Sequence, residues 1–402
     1  MTDHSINRRV KVKHPSSPEL AANAMVLNQE QLLIQETARK FAQERVAPYS
    51  AEWERAGAFR PGLFRELGAL GLMGMTVPGE WGGAGADNVA YSLALQEIAA
   101  ADGALATVVS GHNSVGVMPI LSYGSEAQKQ RYLRDLASGR KLTAFCLTEP
   151  QGGSDAASIR MRAIRKGETY RLSGTKQFIT SGATADLALV IAVTDPDAGK
   201  RGISAFLVDT KAPGYSVTRI EKKMGQNASD TCEIHFDDVL VPAEDRLGEE
   251  GQGYRIALAN LEGGRIGIAS QSVGMARAAL EIAVAYAHER RAFGKTIFEH
   301  QAVSFRLADM AASLEAARQL TLHAAALKDA GQPCLVEASM AKLVASETAE
   351  RICSDAIQTL GGAGYMQDFA VERIYRGVRG AKIYEGTNDI QRLVISRSLT
   401  GA

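Results

Sequence analysis

The sequence predicts an α+β protein in which helices dominate, and three observations support this prediction. The first part of the chain has apolar residues at helical spacing. From about residue 141 to 243 the pattern changes to short β-rich runs separated by Gly, Pro and Asp. From residue 253 onward, long Ala-rich helical stretches return. We therefore expect an N-terminal helical domain at 26–140, a small antiparallel sheet or barrel at 141–243, and a helical bundle at 244–402.

The N-terminal domain is predicted to begin with a capped helix. Asn28 and Gln31 have the spacing of a capping box, and an apolar stripe follows them at helical period. The stripe consists of Leu32, Leu33, Ala38, Phe41 and Val46. Pro48 breaks or kinks this helix, and the Gly-rich loop Pro78–Gly85 separates it from the next helical stretch.

Five short runs of β-branched, aromatic and aliphatic residues predict the strands of the central domain. The runs are Phe145–Leu147, Tyr170–Leu172, Leu187–Val193, Ile203–Val208 and Cys232–Phe236. Because no ten-residue helix separates them, βαβ units are not expected, and an antiparallel sheet or barrel is favoured.

Three long helices are predicted for the C-terminal part: Tyr254–Arg291, Gln301–Asp329 and Val336–Leu360. Their small-residue faces, rich in Ala and Gly, favour close packing in a tight bundle. The same faces suggest helix packing across subunits.

Bulk composition argues against several classes of protein. The 402 residues exceed the size at which a single hydrophobic core stops growing. Lys+Arg and Asp+Glu are both 45, which argues against nucleic acid or an anionic membrane as the main partner. The four cysteines lie far apart without zinc spacing, so we interpret them as reduced thiols and predict no metal site. No run approaches eighteen apolar residues, so no membrane span is predicted.

Residues 1–25 are expected to form a disordered leader. This segment holds several basic residues but lacks the apolar core of a secretory signal. Asp3 and the absence of an amphipathic Arg/Ser pattern disfavour a mitochondrial transit peptide. We therefore expect a cytoplasmic protein.

Motifs for the commonest cofactor and nucleophile sites are missing. No G-x-G-x-x-G follows a predicted strand, which argues against a Rossmann site. Gly294-Lys295-Thr296 resembles the end of a P-loop, but Glu289 stands where the first glycine belongs. No Ser-His-Asp set has a recognisable spacing. Chemistry in this chain therefore needs a bound cofactor or a lone base.

The segment Ala381–Arg392 holds the best candidate for such a base. It places the carboxylate of Glu385 between an apolar, aromatic run and Gly386. Partial desolvation there would raise the pKa of the carboxyl towards working pH, as a general base requires. The competing interpretation is structural, with a helix end, a short turn and a new helix capped by Thr387. These residues alone leave both interpretations open.

Four further segments share their order and spacing with one known family. They are Phe145–Asp155, Lys176–Gly182, Arg290–Lys295 with Gln301, and Gln358–Tyr365. Together with the segment around Glu385, they resemble the acyl-CoA dehydrogenase family over residues 26–400, and most closely its short-chain and branched short-chain members. The resemblance implies an N-terminal helical domain, a central antiparallel β-barrel and a C-terminal four-helix bundle. It also implies a homotetramer with one FAD per subunit.

The resemblance also implies a reaction. Members of this family oxidise the Cα–Cβ bond of an acyl-CoA thioester to a trans-2-enoyl-CoA and pass the electrons to an electron-transferring flavoprotein. Glu385 matches their base, which takes the α-proton while a hydride leaves Cβ for flavin N5. In some relatives the base lies on the long helix instead, but that position is Gly264 here, so Glu385 keeps the role.

The residues that match FAD contacts in the family fall into three groups. The loop along the flavin and the strand at its edge contribute Phe145, Leu147, Thr148, Gly153, Ser154, Phe178, Ile179 and Thr180. Residues that reach FAD across a subunit interface, or cradle its adenine side, are Arg290, Phe293, Gln301, Gln358, Gly361 and Gly362. Thr387 and Asn388 match a helix N-terminus near the cofactor. Taken singly, these residues also fit a turn, a core aromatic, a helix-end cation or a helix C-cap.

The residues that match substrate contacts are Ser154, Glu262, Arg265, Tyr384 and Gly386. Glu262 stands where the family has Asp, and an i,i+3 surface ion pair with Arg265 is the structural alternative. Thr107 and Gly111 match positions near the bottom of the acyl pocket. Their small size does not choose between butyryl, isobutyryl and 2-methylbutyryl groups.

Two other functions stay open at this stage. One is an acyl-CoA oxidase of the same fold that passes electrons directly to O₂. The other is a non-catalytic flavin-binding relative. Oxygen consumption with acyl-CoA distinguishes the oxidase, and failure of any acyl-CoA to reduce the flavin identifies the non-catalytic protein.

Overall fold

The computed structural model describes residues 27–400, so the predicted leader at 1–25 lies outside the described residues. Within this range helices dominate, and they precede and follow one central sheet. The predicted α+β class, mostly helical and in the order helices, sheet, helices, is confirmed. The domain limits at residues 140 and 243 stay a prediction.

The N-terminal part of the described chain consists of α-helices joined by turns and by one longer loop, which contains Pro78–Gly85. They are α1 (Gln29–Phe41), α2 (Ser50–Ala56), α3 (Leu63–Ala69), α4 (Asn88–Ala101), α5 (Gly103–Gly111), α6 (Met118–Tyr123) and α7 (Glu126–Ala137). The predicted capping box is present, because the Asn28 side chain accepts from the Gln31 N–H at 2.8 Å and the Gln31 side chain accepts from the Asn28 N–H at 2.9 Å. After α1 the chain makes a π-helical turn, Ala42–Val46, and then a 3₁₀ turn that contains Pro48.

One helical stretch in this part, Gly103–Tyr123, is long and apolar enough to cross a membrane by length and composition. It comprises α5, a π-helical turn and α6. In its most apolar window 78% of the residues are buried inside the protein. The core helix of a folded domain meets the same criteria, and burial of this kind accounts for the apolar composition here.

The central part is one sheet of eight strands. They are β1 (Thr143–Cys146), β2 (Arg162–Lys166), β3 (Thr169–Thr180), β4 (Leu187–Val193), β5 (Ile203–Asp209), β6 (Tyr215–Ile220), β7 (Thr231–Pro242) and β8 (Arg246–Leu247). The strand order is β6-β7-β3-β2-β4-β5-β8, and β1 also pairs with β4. Each of the five predicted runs lies in a strand or overlaps one.

Two details of the sheet differ from the expected antiparallel barrel. The sheet is not closed, since β6 and β8 end its strand order, and the word barrel applies only loosely. The sheet is also mixed, because β4 pairs in parallel with β1 and, at one residue, with β2. Parallel neighbours need a long crossover connection. Here the connection from β1 to β4 consists of a loop and the β2–β3 hairpin and contains no helix. The sequence therefore did not predict a parallel pair, because that prediction depends on a helix between two strands.

The C-terminal part contains three long helices and several shorter ones. They are α8 (Gly253–Ala259), α9 (Leu261–Glu289), α10 (Gln301–Asp329), α11 (Leu335–Leu360), α12 (Ala370–Val378) and α13 (Asn388–Thr400), with a small hairpin of β9 (Arg291–Ala292) and β10 (Lys295–Thr296) after α9. The single helix predicted from Tyr254 is interrupted at Asn260, whose side chain donates to the carbonyl of Ile256 at 2.9 Å. An ion pair between Arg392 and Glu347 packs α13 against α11, so α13 is the fourth helix of the bundle.

The directions of the long helices decide which residues share an end of the bundle. Glu262 at the start of α9 lies 4.0 Å from Lys328 at the end of α10, so these two helices are antiparallel. Arg265 donates to Ser339 near the start of α11 at 3.2 Å, so α9 and α11 run in parallel. The starts of α9 and α11 and the end of α10 therefore lie together at one end of the bundle.

Close packing between α4 and α9 joins the N-terminal helices to the bundle. At Gly274 a β-carbon would lie 2.2 Å from the carbonyl oxygen of Gln96 and 2.8 Å from the β-carbon of Ala99. Beside this contact the Arg277 guanidinium pairs with the buried Glu97 carboxylate at 2.6 Å. The missing side chain at Gly274 thus allows the two helices to approach.

We expect Gly274→Ala to lower the free energy of unfolding by about 1–3 kcal/mol, because the added methyl group meets rigid backbone. Gly263 on the same helix is a matched control, since its β-carbon would meet no atom closer than 3.7 Å. Gly263→Ala should be neutral or gain up to about 1 kcal/mol from helix propensity. Urea unfolding followed by circular dichroism measures both, and equal effects would refute the packing argument.

Candidate active site

Glu385 lies on a tight turn between the 3₁₀ turn Arg379–Lys382 and α13. Glu385 has φ 55° and Gly386 has φ 84°, so two consecutive residues adopt the left-handed conformation. This conformation is costly for a residue with a β-carbon, so neighbouring groups must hold Glu385 in it. Thr387 accepts from the N–H of Ile390 at 3.3 Å and caps α13. The helix boundary expected from the sequence is present, and the same turn carries the candidate base.

The Glu385 carboxylate packs against the backbone of α9 at Gly264. A β-carbon at Gly264 would lie 2.5 Å from Oε2 of Glu385 and 3.0 Å from its carboxyl carbon. Any larger residue at Gly264 would displace the carboxylate. Gly264, which the resemblance implies as the alternative position for a base, therefore adjoins Glu385 in space.

The electrostatics of the site favour a carboxyl group that titrates near neutrality. Burial raises the pKa of Glu385 from its usual range to about 7, although Arg265 and Lys342 oppose this by favouring the charged form. Burial also lowers the pKa of Lys342 to about 7 and lowers the pKa of Arg265. One acid and two cations thus share a poorly solvated space.

Glu262 and Arg265 do not form the i,i+3 ion pair that was the structural alternative for them. Glu262 instead lies beside Lys328 and accepts from the thiol of Cys334 at 3.8 Å. Arg265 is buried, and its Nε has no hydrogen-bond partner within residues 27–400. Its guanidinium therefore has hydrogen-bonding capacity to spare, and its charge acts on Glu385.

A closed ring of four polar side chains lies next to the turn. Thr107 donates to Gln226 at 2.6 Å, and Gln226 donates to the Tyr384 hydroxyl at 3.0 Å. Tyr384 donates to Gln271 at 2.9 Å, and Gln271 donates back to Thr107. The four residues come from α5, the loop before β7, the segment before Glu385, and α9. Each side chain is satisfied by the others, so the ring is a rigid polar wall.

Open space borders this wall on the side of α5. A β-carbon built at Gly111 would meet no atom within 4 Å. Thr107 lies one helical turn away on the same helix and belongs to the ring. Of the two residues predicted near the acyl pocket, Thr107 thus belongs to the polar wall and Gly111 adjoins unfilled space.

A buried ion pair holds the loop that matches the flavin contact. Lys176 is fully buried and donates to the carbonyl of Leu147 at 2.9 Å and to Glu149 at 2.8 Å. The Glu149 carboxylate also accepts from the backbone N–H groups of Arg160 and Met161. The backbone N–H of residue 177 donates to the Thr148 carbonyl at 2.9 Å. The structure therefore brings this loop and the β3 segment together.

The exposed surface of this loop and strand fits a flat aromatic ring. A bulge between Lys176 and Ile179 shifts the register of β3. It leaves Ile179 buried and Phe178 59% exposed, with Phe178 in the left-handed conformation at φ 58°. Gly153 and Ser154 are exposed in the loop. The Phe178 ring is therefore accessible to a flat apolar ligand, such as the isoalloxazine of the FAD that the resemblance implies.

The remaining FAD candidates lie at the other end of the bundle. They are Arg290, Phe293, Gln301, Gln358, Gly361 and Gly362, and all are exposed, with Phe293 at 95%. Twenty-nine residues of α9 separate the two ends, which corresponds to about 40 Å at 1.5 Å per residue. One chain therefore does not bring this group to Glu385. Beside Gly361 and Gly362 there is open space for a ligand or another chain.

Thr387, Asn388 and Gly386 lie at the turn itself. Asn388 is buried, and its side-chain oxygen accepts from Lys342 at 3.0 Å and from Ser346 at 3.2 Å. The Gly386 carbonyl accepts from Lys342 at 2.8 Å. Contacts within the chain thus occupy the Asn388 oxygen and the Gly386 carbonyl, and the roles predicted for these residues stay predictions.

Sequence reasoning missed four residues of this region: Lys176, Gln226, Gln271 and Lys342. Lys342 had a detectable signal, because it is the one lysine of α11 and stands in the apolar run Met340–Val344. Gln226 and Gln271 gave no such signal in the sequence, since each lies more than a hundred residues from Tyr384, the ring member adjacent to Glu385.

Three family models match the chain. They are described as the acyl-CoA dehydrogenase N-terminal domain at 28–140, middle domain at 144–239 and C-terminal domain at 251–400.

Individual relatives match over nearly the whole chain. An acyl-CoA dehydrogenase of Bacillus subtilis (strain 168) is 49% identical over 94% of this chain and 100% of its own length. The mitochondrial short-chain specific acyl-CoA dehydrogenase of Mus musculus is 44% identical over 91% of this chain and 89% of its own. Subunit CarC of the caffeyl-CoA reductase–Etf complex of Acetobacterium woodii is 42% identical over 93% and 99%. The solved butyryl-CoA dehydrogenase of Megasphaera elsdenii has a TM-score of 0.92 at 41% identity over 94% and 100%.

We expect Lys176→Met to lower the free energy of unfolding by about 3–5 kcal/mol, because it leaves the buried Glu149 carboxylate without its counter-charge. Arg171→Met in the same strand is the matched control, since its pair with Asp238 is exposed and should contribute little that is measurable. Chemical unfolding of both variants measures the difference. A Lys176 variant as stable as the Arg171 variant would contradict this account of the loop.

Proposed function

The chain belongs to the acyl-CoA dehydrogenase family of flavin-dependent oxidoreductases, and we propose that it oxidises the Cα–Cβ bond of a short-chain or branched short-chain acyl-CoA to the trans-2-enoyl-CoA. Glu385 is the proposed base. The observation that carries this proposal is its carboxylate, which is desolvated against Gly264 with a pKa raised to about 7. A carboxyl group with that pKa is about half ionised at neutral pH, and its carboxylate form is basic enough to accept a proton.

Proton removal from the α-carbon requires stabilisation of the negative charge that develops on the thioester oxygen. The backbone N–H of Glu385 has no hydrogen-bond partner among residues 27–400, so it is free to donate to that oxygen. Glu385 would thus supply both the carboxylate that takes the proton and the N–H that faces the developing charge. Arg265 and Lys342 favour the charged carboxylate before the proton is transferred.

FAD is the cofactor that fits the exposed loop and Phe178, and when bound it would accept the hydride from Cβ. Leu147, Thr148, Gly153, Ser154 and the Phe178–Thr180 segment of β3 are proposed to hold it. Arg290, Phe293 and Gln301, with the turn after α11, are proposed to contact FAD from a second copy of the chain. This assignment supports an oligomer in which one subunit completes the cofactor site of another, and the family resemblance implies that this oligomer is a homotetramer.

An electron-transferring flavoprotein is the proposed electron acceptor. The names of relatives support this, since CarC belongs to a complex that contains Etf. The bacterial sources of the similar chains support a cytoplasmic location. An O₂-reducing oxidase remains a distinct outcome, and rapid oxygen consumption without an added electron carrier would identify it.

The polar ring supports a short acyl chain. We propose that Thr107, Gln226, Gln271 and Tyr384 form the end wall of the acyl pocket. A longer acyl chain would have to break these buried hydrogen bonds. The free energy lost in breaking them exceeds the free energy gained by burying the added methylene groups. Anaerobic titration of the flavin absorbance with butyryl-, isobutyryl-, 2-methylbutyryl- and longer acyl-CoA thioesters measures this preference.

We expect Glu385→Gln to retain FAD and to lower turnover roughly a hundred- to ten-thousand-fold, as loss of a positioned base does. In the unchanged protein kcat/KM should rise with pH and level off above about pH 7, because the carboxylate form is the active one. Asp389→Asn, which removes an exposed carboxylate four residues away, should keep the normal rate. A Glu385→Gln variant with near-normal turnover would overturn the proposed function.

We expect Gln271→Ala to open the wall and raise the kcat/KM of hexanoyl-CoA relative to butyryl-CoA roughly ten-fold, since each of two methylenes gains about 0.8 kcal/mol on burial. Gln96→Ala is the control, because Gln96 is a buried glutamine on the neighbouring α4 that bonds to Ser92 and lies outside the ring. An unchanged ratio in Gln271→Ala, with a folded protein, would contradict the role of the ring.

A further inference from the structure

A buried lysine supports the turn that carries Glu385. Lys342 on α11 has no exposed surface, and buried alanines stand beside it at positions 341 and 345. An ammonium ion in such a place is costly unless polar groups surround it. Among residues 27–400 no carboxylate lies within ion-pair distance of Lys342, and its hydrogen bonds go to the Gly386 carbonyl at 2.8 Å and to Asn388 at 3.0 Å. Both acceptors belong to the turn after Glu385.

The Gly386 carbonyl is held from two sides. Lys342 donates to it from α11, and the fully buried Gln391 donates to it from α13 at 2.9 Å. Ser346, one turn further along α11, fixes the Asn388 oxygen that Lys342 also binds. The two helices therefore fix the Gly386–Thr387 peptide, and Gln391 also donates to the Glu385 carbonyl at 3.4 Å. These bonds on both residues of the turn help to keep the non-glycine Glu385 in the left-handed conformation.

Charge links the same lysine to the base. The charged groups that influence Glu385 are Arg265 from α9 and Lys342 from α11, and both favour its ionised form. The hydroxyl of Tyr91 faces it from α4, and Tyr384 precedes it in the chain; burial keeps the pKa of both tyrosines raised, so neither is ionised at neutral pH. Lys342 is therefore one of two cationic groups that act on the base. It keeps its proton below about pH 7, and it is the only one of these groups that also bonds to the turn after Glu385.

We propose that Lys342 is a positioning residue, whose ammonium group locks the Glu385–Gly386 turn and provides a counter-charge for the Glu385 carboxylate. This inference rests on the proposed function, since it assigns Lys342 a role through Glu385. The ammonium group of Lys342 would thus have two effects on the base. It would fix the direction of the carboxylate and N–H of Glu385, and it would lower the pH at which that carboxylate ionises.

Substitution of Lys342 distinguishes a positioning role for Glu385 from a purely structural role in the core. We expect Lys342→Met to retain FAD, lower kcat about a hundred-fold through misplacement of the base, and change KM less than three-fold. Loss of the positive charge raises the pKa of Glu385, so the acid limb of the kcat/KM profile should move to higher pH. Lys342→Arg keeps the charge and should restore the position of that limb. Lys382→Met is the matched control, because Lys382 lies three residues before Glu385 but pairs with Glu350 at 2.7 Å.

A measurement of stability tests the coupling without turnover. Thermal unfolding midpoints of Lys342→Met, Glu385→Gln and the double variant form a double-mutant cycle. They are measured at pH 7, where Lys342 and Glu385 are both partly charged. Non-additive shifts are expected, because the neutral glutamine no longer needs the lysine. Additive shifts, or an acid limb of Lys342→Met at the position of the unchanged protein, would overturn the inference. If Lys342→Met does not fold, Lys342→Gln replaces it in both experiments.

The outcomes also separate this inference from the proposed function. An active Glu385→Gln variant would refute the proposed base whatever Lys342 does. An inactive Glu385→Gln variant together with an unshifted profile in Lys342→Met would leave the base in place and refute only the role of the lysine.

Discussion

The desolvation of one carboxylate on a left-handed turn is the constraint on which the rest of the site depends. The side chain of Glu385 fits only because Gly264 leaves space on α9, and its backbone conformation persists only because α11 and α13 hold the following carbonyl. Burial makes the carboxyl more basic, while the two neighbouring cations keep it ionisable. A carboxylate on a solvated turn would have neither the pKa nor the fixed direction of this one.

The polar ring shows how a site can be shaped without charge. Four neutral side chains from distant segments satisfy one another, so the wall needs no counter-ion and leaves the electrostatics around Glu385 undisturbed. The ring includes Tyr384, and its hydrogen bonds therefore also tie the residue before the base to α5 and α9. Pocket shape and placement of the proposed base are thereby linked by the same hydrogen bonds.

The distance between Glu385 and the second group of FAD candidates limits what one chain can do. Glu385 lies beside the start of α9, while the residues around Arg290 and Gly361 lie at the far end of helices about 40 Å long. A rigid bundle cannot bend these ends together. If both groups contact FAD as we propose, the second group must come from another copy, and oligomerisation is then a requirement for cofactor binding.

The sequence by itself determined the helix–sheet–helix order, the capping box at Asn28 and the turn at Glu385, because periodicity, capping and turn chemistry are local properties of the chain. It did not reveal the parallel pairing of β1 with β4, which a non-helical crossover makes possible. Only the tertiary structure brought Gly264, Lys342 and the ring residues to Glu385. Contacts between residues a hundred positions apart arise from helix packing, and no local pattern encodes them.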